Sequence, residues 1–265
     1  MSSDKQSNHN EFAWLDAAKK RLRQGEAAAL IEEALEALAH DEQNAQLLQI
    51  ASLAYAYQGQ GQQAEPYARR ALTLISEDRV SSSLHIEMAH VCLYDSLIAQ
   101  GRFAEASQSL GSVVSQVPHT NAILLLIAWG YFLAGSPENA RHALMQQTPI
   151  DQSTFRDEEV TNMFPSYLLM DWYMRYVLGI NPRGSQPYPV PQALRFFYAG
   201  LVQSMKQTLM DQMMQAVPGF LARWEDEAQR HAHNPYGKRL GEILEEVRLP
   251  EWQAEYLDRV FPTGL

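Results

Sequence analysis

The sequence predicts an all-α protein: a solenoid of helix–turn–helix units followed by a helical extension. Three observations carry that expectation. Glycines stand at Gly25, Gly59, Gly101 and Gly135, separated by 34, 42 and 34 residues. Bulky residues stand four positions before three of them, Tyr55, Leu97 and Tyr131. The segment after each of the same three glycines carries small or apolar residues at helical spacing. These are Ala64, Ala68 and Ala71 after Gly59, Ala106, Leu110 and Val113 after Gly101, and Ala140 and Leu144 after Gly135.

The elements follow in order. Residues 1–10 (MSSDKQSNHN) are polar and are expected to be disordered. Residues 11–150 divide into about four repeats. Glu11–Asn44 is a degenerate first unit with Gly25 in phase, and Ala45–Asp78, Glu87–Pro118 and Asn121–Thr148 follow it. A longer connection around Arg79–Ser83 accounts for the wider glycine spacing. Each turn glycine is there because closing a helix needs a left-handed residue, which glycine adopts without steric cost. Alanine in the second helix of a unit allows close helix approach. Pro118 is expected to end one second helix, and Pro66 to sit near the start of another, where a missing N–H costs little.

Glycine, bulky residue and alanine in one phase resemble the tetratricopeptide repeat, over a little more than half the chain. The resemblance implies a concave surface lined by the first helix of each unit. Its inward positions include Gln49, Leu53 and Tyr57 in the second unit, Val91 and Asp95 in the third, and Leu125, Trp129 and Leu133 in the fourth. Such a groove grows more apolar toward the fourth unit. It lacks the Lys, Arg and Asn set with which chaperone-binding members hold a peptide carboxylate. Two occupants fit it: an apolar or amphipathic helix of another protein, or the chain's own C-terminal half.

Residues 151–265 keep a helical period without the repeat. Asp157–Glu159 lead into a helix through Tyr167, Trp172 and Tyr176, and the proline-dense stretch 181–191 (NPRGSQPYPVP) is a connection. Helices are then expected over Gln192–Val217, 220–232, Gly237–Val247 and Glu251–Phe261. Seven of the ten methionines fall between Met163 and Met214, so the helix carrying Met205, Met210, Met213 and Met214 offers either an adaptable core face or a homodimer contact. Asn234-Pro235-Tyr236, followed by Leu240, Leu244, Leu249 and Pro250, resembles the closing helix of bacterial repeat proteins.

Composition narrows the function. The 265 residues carry a net charge of −10, with 10 basic and 16 acidic residues before position 151 and 11 and 15 after it. Neither half is a basic module, which argues against a nucleic-acid partner. The most apolar run, Ile123–Ala134, is too short to span a bilayer, and no signal-peptide pattern precedes it, so a cytoplasmic setting is expected without membrane insertion. A lone Cys92 excludes an intramolecular disulfide or cysteine-based zinc site and reads as an inert buried thiol. His231 and His233 are two apart and His85 and His90 five apart, poor spacings for shared metal ligation from a helix; the first pair reads as surface histidines. No phosphate loop, dinucleotide loop or nucleophile elbow is present, so no cofactor and no enzymatic activity are expected. The remaining expectation is a protein-interaction scaffold, an adaptor or client chaperone. A peptide- or small-ligand-sensing regulator and a structural homo-oligomer are the alternatives.

Overall fold

The computed structural model describes residues 13–77, 82–117, 120–147, 170, 173, 174, 177, 178 and 221–247. The protein is all-α. Among the described residues the helices are α1 Ala13–Arg23, α2 Ala27–His40, α3 Ala45–Tyr57, α4 Gly61–Glu77, α5 Ser83–Ala99, α6 Phe103–Gly111, α7 Thr120–Leu133 and α8 Pro137–Met145. A further helical stretch covers 221–230, and α9 spans Pro235–Val247. The chain divides into two compact units: Met1–Thr120 with His233–Tyr236, and Asn121–Ala232 with Gly237–Leu265. The expected N-terminal disorder, the 181–191 connection, Gln192–Val217 with its methionines and Glu251–Phe261 lie outside the described residues. So do Asp157–Glu159, Tyr167, Trp172 and Tyr176.

Turn chemistry explains the helix pairs. Gly25, Gly59, Gly101 and Gly135 have φ of 83°, 73°, 76° and 71°, the left-handed region where a side chain is disfavoured. Each turn makes the same two hydrogen bonds. The glycine N–H reaches back three residues, and the next N–H reaches back five, to the carbonyls of Arg21, Tyr55, Leu97 and Tyr131. That pair of bonds satisfies carbonyls a helix end would otherwise leave orphaned. The bulky positions singled out from the sequence are therefore the residues whose backbone closes the turn. In the first pair Arg21 also joins its two helices, its guanidinium lying 2.7 Å from Glu26 and 2.6 Å from Glu33.

In the first unit α3 packs on α2, α4 and α5, α4 on α5, and α5 on α6, while α1 lies on α2 and α3. Ala51, Ala54, Ala64, Ala68 and Ala71 are completely buried, which brings α3 and α4 close. The fully buried Leu48 and Leu97 each contribute about 1.5–3 kcal/mol of transfer free energy. Helix α3 starts where Asn44 Oδ1 accepts the Gln46 and Leu47 N–H groups, both at 3.1 Å. Glu65 ties α4 to the next turn: it takes hydrogen bonds from Arg69, Arg102 and Gln100 at 2.6–2.8 Å.

Two expectations need correction. Helix α6 ends at Gly111, not at Pro118. A glycine followed by Ser112, whose hydroxyl donates to the Ser109 carbonyl, stops the helix before the proline is reached. Pro66 stands inside α4, one turn beyond its start. The Gln62 carbonyl loses its helical donor there, and both residues are exposed, so solvent can satisfy it.

The second unit is organised around α7. Residues 123–130 are buried without interruption, so this helix is apolar all round because it is enclosed all round. Tyr173 and Trp224 meet its aromatic rings, and they share the unit with Met174, Leu240 and Ile243, each of the five at most 2% exposed. Arg141 donates to the Leu178 carbonyl, and the Tyr173 hydroxyl to Glu246.

Candidate functional site

The eight residues expected to line a groove fall into two sets, Gln49, Leu53, Tyr57, Val91 and Asp95 in the first unit and Leu125, Trp129 and Leu133 in the second. The second set is buried. Leu125 and Leu133 are 7% exposed and Trp129 is 3% exposed. The Trp129 ring lies 5.6 Å from Trp224 and 5.9 Å from Phe132, and Phe132 meets Tyr173 edge-on at 5.7 Å. What faces Trp129 is the chain's own later sequence, not solvent. These three residues are core contacts of the second unit.

The first set sits on two adjacent helices. The seam between α3 and α5 is made of small polar groups. Cys92 Sγ lies 3.8 Å from the Gln49 carbonyl, and the Ser52 and Ser96 hydroxyls are 3.2 Å apart. Contact positions rise together along both helices, so α3 and α5 run parallel at this seam. Gln49 belongs to the seam and is 1% exposed, below the surface where it was expected. Its side-chain amide has no hydrogen-bond partner, at a cost of about 1–3 kcal/mol.

Rotating away from the seam by the helical period brings Gln46, Ile50, Leu53 and Tyr57 onto one stripe of α3. The corresponding rotation on α5 brings Leu84, Val91 and Asp95 to the same side. Gln46 is exposed and the other six are half-buried. Parallel helices thus present a shallow apolar face, with Gln46 and Asp95 as its polar members. Ile50, Leu53 and Tyr57 also pack against the Leu22, Leu30 and Ile31 core of α1 and α2, so this face is partly covered from that side. Asp95 and Lys19 of α1 are both near enough for their charges to act on the Cys92 thiol.

Cys92 itself is chemically quiet. Burial first, and the Asp95 charge second, push its thiol up to about 12, so it stays protonated and is no nucleophile. Among the described residues no three His, Cys, Asp or Glu side chains converge as metal ligands, and no helix is long and apolar enough to cross a membrane. His231 is 6% exposed, against the expectation of a surface position. It precedes the tight turn into α9, where the missing side chain of Gly237 admits the His231 carbonyl.

His90, half-buried on α5, makes a measurable prediction. Burial lowers its pKa from 6.5, and a hydrogen bond to the Ser109 backbone offsets only part of that. Above pH 6.5 the ring is neutral in both folded and unfolded chains, and stability is fully present. Below it the unfolded chain takes up the proton first, so stability falls with pH until the folded pKa is passed. The expected result is a wild-type unfolding midpoint that drops more steeply below pH 6.5 than that of His90→Gln. Parallel profiles would remove His90 as the cause.

A cleft of about 320 Å³ opens among α1, α2 and α3, lined by Trp14, Ala18, Leu30, Ala34 and Ile50, with Arg21 and Glu33 among its walls. Comparison of the chain with protein-family models, curated proteins and solved structures finds no match.

Proposed function

We propose that this chain is a non-catalytic protein-interaction scaffold, a helical-hairpin repeat protein of tetratricopeptide type acting as an adaptor or client chaperone. Its docking face is the α3/α5 surface of the first unit, and its ligand an apolar or amphipathic helical segment of another protein. The observation that carries this reading is the half-buried row Ile50, Leu53, Tyr57 and Val91 on two parallel helices. Anchors three, four and seven residues apart on a partner helix fit such a row. Four identically closed turns in phase support the repeat reading, and the acidic, cysteine-poor composition fits a cytoplasmic setting.

The test is a paired substitution, Leu53→Glu with Tyr57→Glu, in affinity-purified full-length protein. Both residues are partly exposed but pack against the Leu22, Leu30 and Ile31 core, so a cost of about 1–3 kcal/mol for each is expected and the variant's fold is checked by circular dichroism. Proteins retained by the wild type should be lost from the variant. Retention of the same proteins by a folded variant sinks the proposal. The α1–α3 cleft favours a second reading, a small-ligand sensor, because its volume is at the lower end of ligand sites. A ligand-induced thermal shift without a stable protein complex would select that reading instead.

A further inference from the structure

Two of the four turn glycines do more than close a helix. A Cβ at Gly25 or Gly135 would meet nothing within 4 Å. A Cβ at Gly59 would lie 2.5 Å from the His233 ring, and one at Gly101 would lie 2.9 Å from Pro235. His233, Asn234 and Pro235 therefore rest directly on the bare backbone of the two middle turns, and His233–Tyr236 belong to the same compact unit.

The contact is polar as well as steric. His233 Nε2 donates to the Gly59 carbonyl at 3.1 Å, and Asn234 Nδ2 donates to the same oxygen at 3.4 Å. The Gly59 N–H is already spent on Ala56, at 2.8 Å, in closing the helix. Its carbonyl lies outside the helical ladder and is available to a ligand. Asn234 and Tyr236 are each 7% exposed, so the segment is seated and not merely adjacent.

The segment is also shaped in advance. A proline at 235 biases Asn234 toward extended backbone, which narrows the conformations the segment gives up on docking. Gly237 lets the start of α9 tuck under the chain, since a Cβ there would lie 2.1 Å from the His231 carbonyl oxygen. Rigid presentation of this kind lowers the entropy cost of docking.

We propose that the Gly59 and Gly101 turns form a peptide-recognition site for an Asn-Pro turn, occupied in cis by His233–Tyr236. The ligand class is a short segment that places an amide donor on the Gly59 carbonyl and a proline ring on the Gly101 backbone. This site is separate from the α3/α5 face and stands or falls without it.

The probe is a fluorescently labelled peptide of residues 229–240, titrated into full-length protein. Wild type, with its site filled, should bind it weakly. The His233→Ala/Asn234→Ala/Pro235→Ala variant empties the site and should bind at least about tenfold more tightly, because occupancy in cis scales down apparent affinity. Adding Gly59→Ala to that variant should abolish binding. Equal affinity for wild type and emptied variant, no binding to the emptied variant, or binding that survives Gly59→Ala overturns the proposal. Should the emptied variant fail to fold, four single substitutions decide. Gly25→Ala and Gly135→Ala carry the backbone penalty alone. Gly59→Ala and Gly101→Ala carry it together with the collision, and should lower Tm further. Equal Tm values across the four overturn the site.

Discussion

Trp129→Ala is expected to remove about 3–5 kcal/mol of stability, the range for deleting a large buried aromatic from a core. The side chain is 3% exposed and touches Trp224 and Phe132, which in turn carries Tyr173. Removing the indole strips contacts from its ring neighbours and leaves a cavity that α7, enclosed on every side, cannot collapse to fill. Trp129→Phe should cost less, because it keeps an aromatic face toward Trp224. The measurement is denaturant unfolding followed by far-ultraviolet circular dichroism, compared across wild type, Trp129→Ala and Trp129→Phe. A Trp129→Ala loss below about 1 kcal/mol would show that the ring is not structural and would return Trp129 to the set of partner contacts.

The second large effect reverses a propensity rule. Gly61 is the first residue of α4, and alanine in a helix is ordinarily favoured over glycine by about 1 kcal/mol. A Cβ at Gly61, however, would lie 2.4 Å from the Ser96 carbonyl oxygen and 3.0 Å from the Ala99 Cβ. The obstacle is α5 backbone, which cannot rotate away as a side chain could. The Ser96 carbonyl is moreover held by Gln100 Nε2 at 3.2 Å. Gly61→Ala should therefore destabilise by about 1–3 kcal/mol through forced separation of α4 from α5. A Cβ at Gly111, the last residue of α6, would meet nothing within 4 Å, so Gly111→Ala should leave stability unchanged or raise it. A lower Tm for Gly61→Ala beside an unchanged or higher one for Gly111→Ala is the expected result. A Tm for Gly61→Ala at or above the wild-type value would mean that α4 can slide.

Most of the local architecture was legible because its causes are local. A helix that stops and turns within two residues needs a left-handed position, and the four glycines occupy it with φ between 71° and 83°. Ala64, Ala68, Ala106 and Ala140 are fully buried where their spacing from the glycines places them. What the spacing does not contain is the identity of each helix's opposite neighbour. Helix α7 reads as an apolar helix in repeat phase, yet its enclosure comes from Tyr173 and Trp224, side chains 44 and 95 positions after Trp129. Gln49 shows how fine the margin is. It precedes Ile50 by one residue, a rotation of about 100°, and that step separates the buried seam from the half-exposed stripe. Pro118 carried a related error, since proline marks where a helix cannot continue and not where it ends. His233 offered no cue to Gly59 at all, because 174 residues separate the two.

That separation has a consequence for how the molecule is made. The helix pairs close over short stretches of chain, so they can form soon after they leave the ribosome. His233–Tyr236 emerges much later. At about 5–20 residues per second, roughly 9–35 seconds pass between synthesis of the Gly59 turn and arrival of the segment that sits on it. Throughout that interval the nascent chain displays the Gly59 carbonyl and the bare Gly101 backbone with no occupant of its own. Completion of the first unit is thus timed by translation of residues 174 positions downstream of the turn they cover.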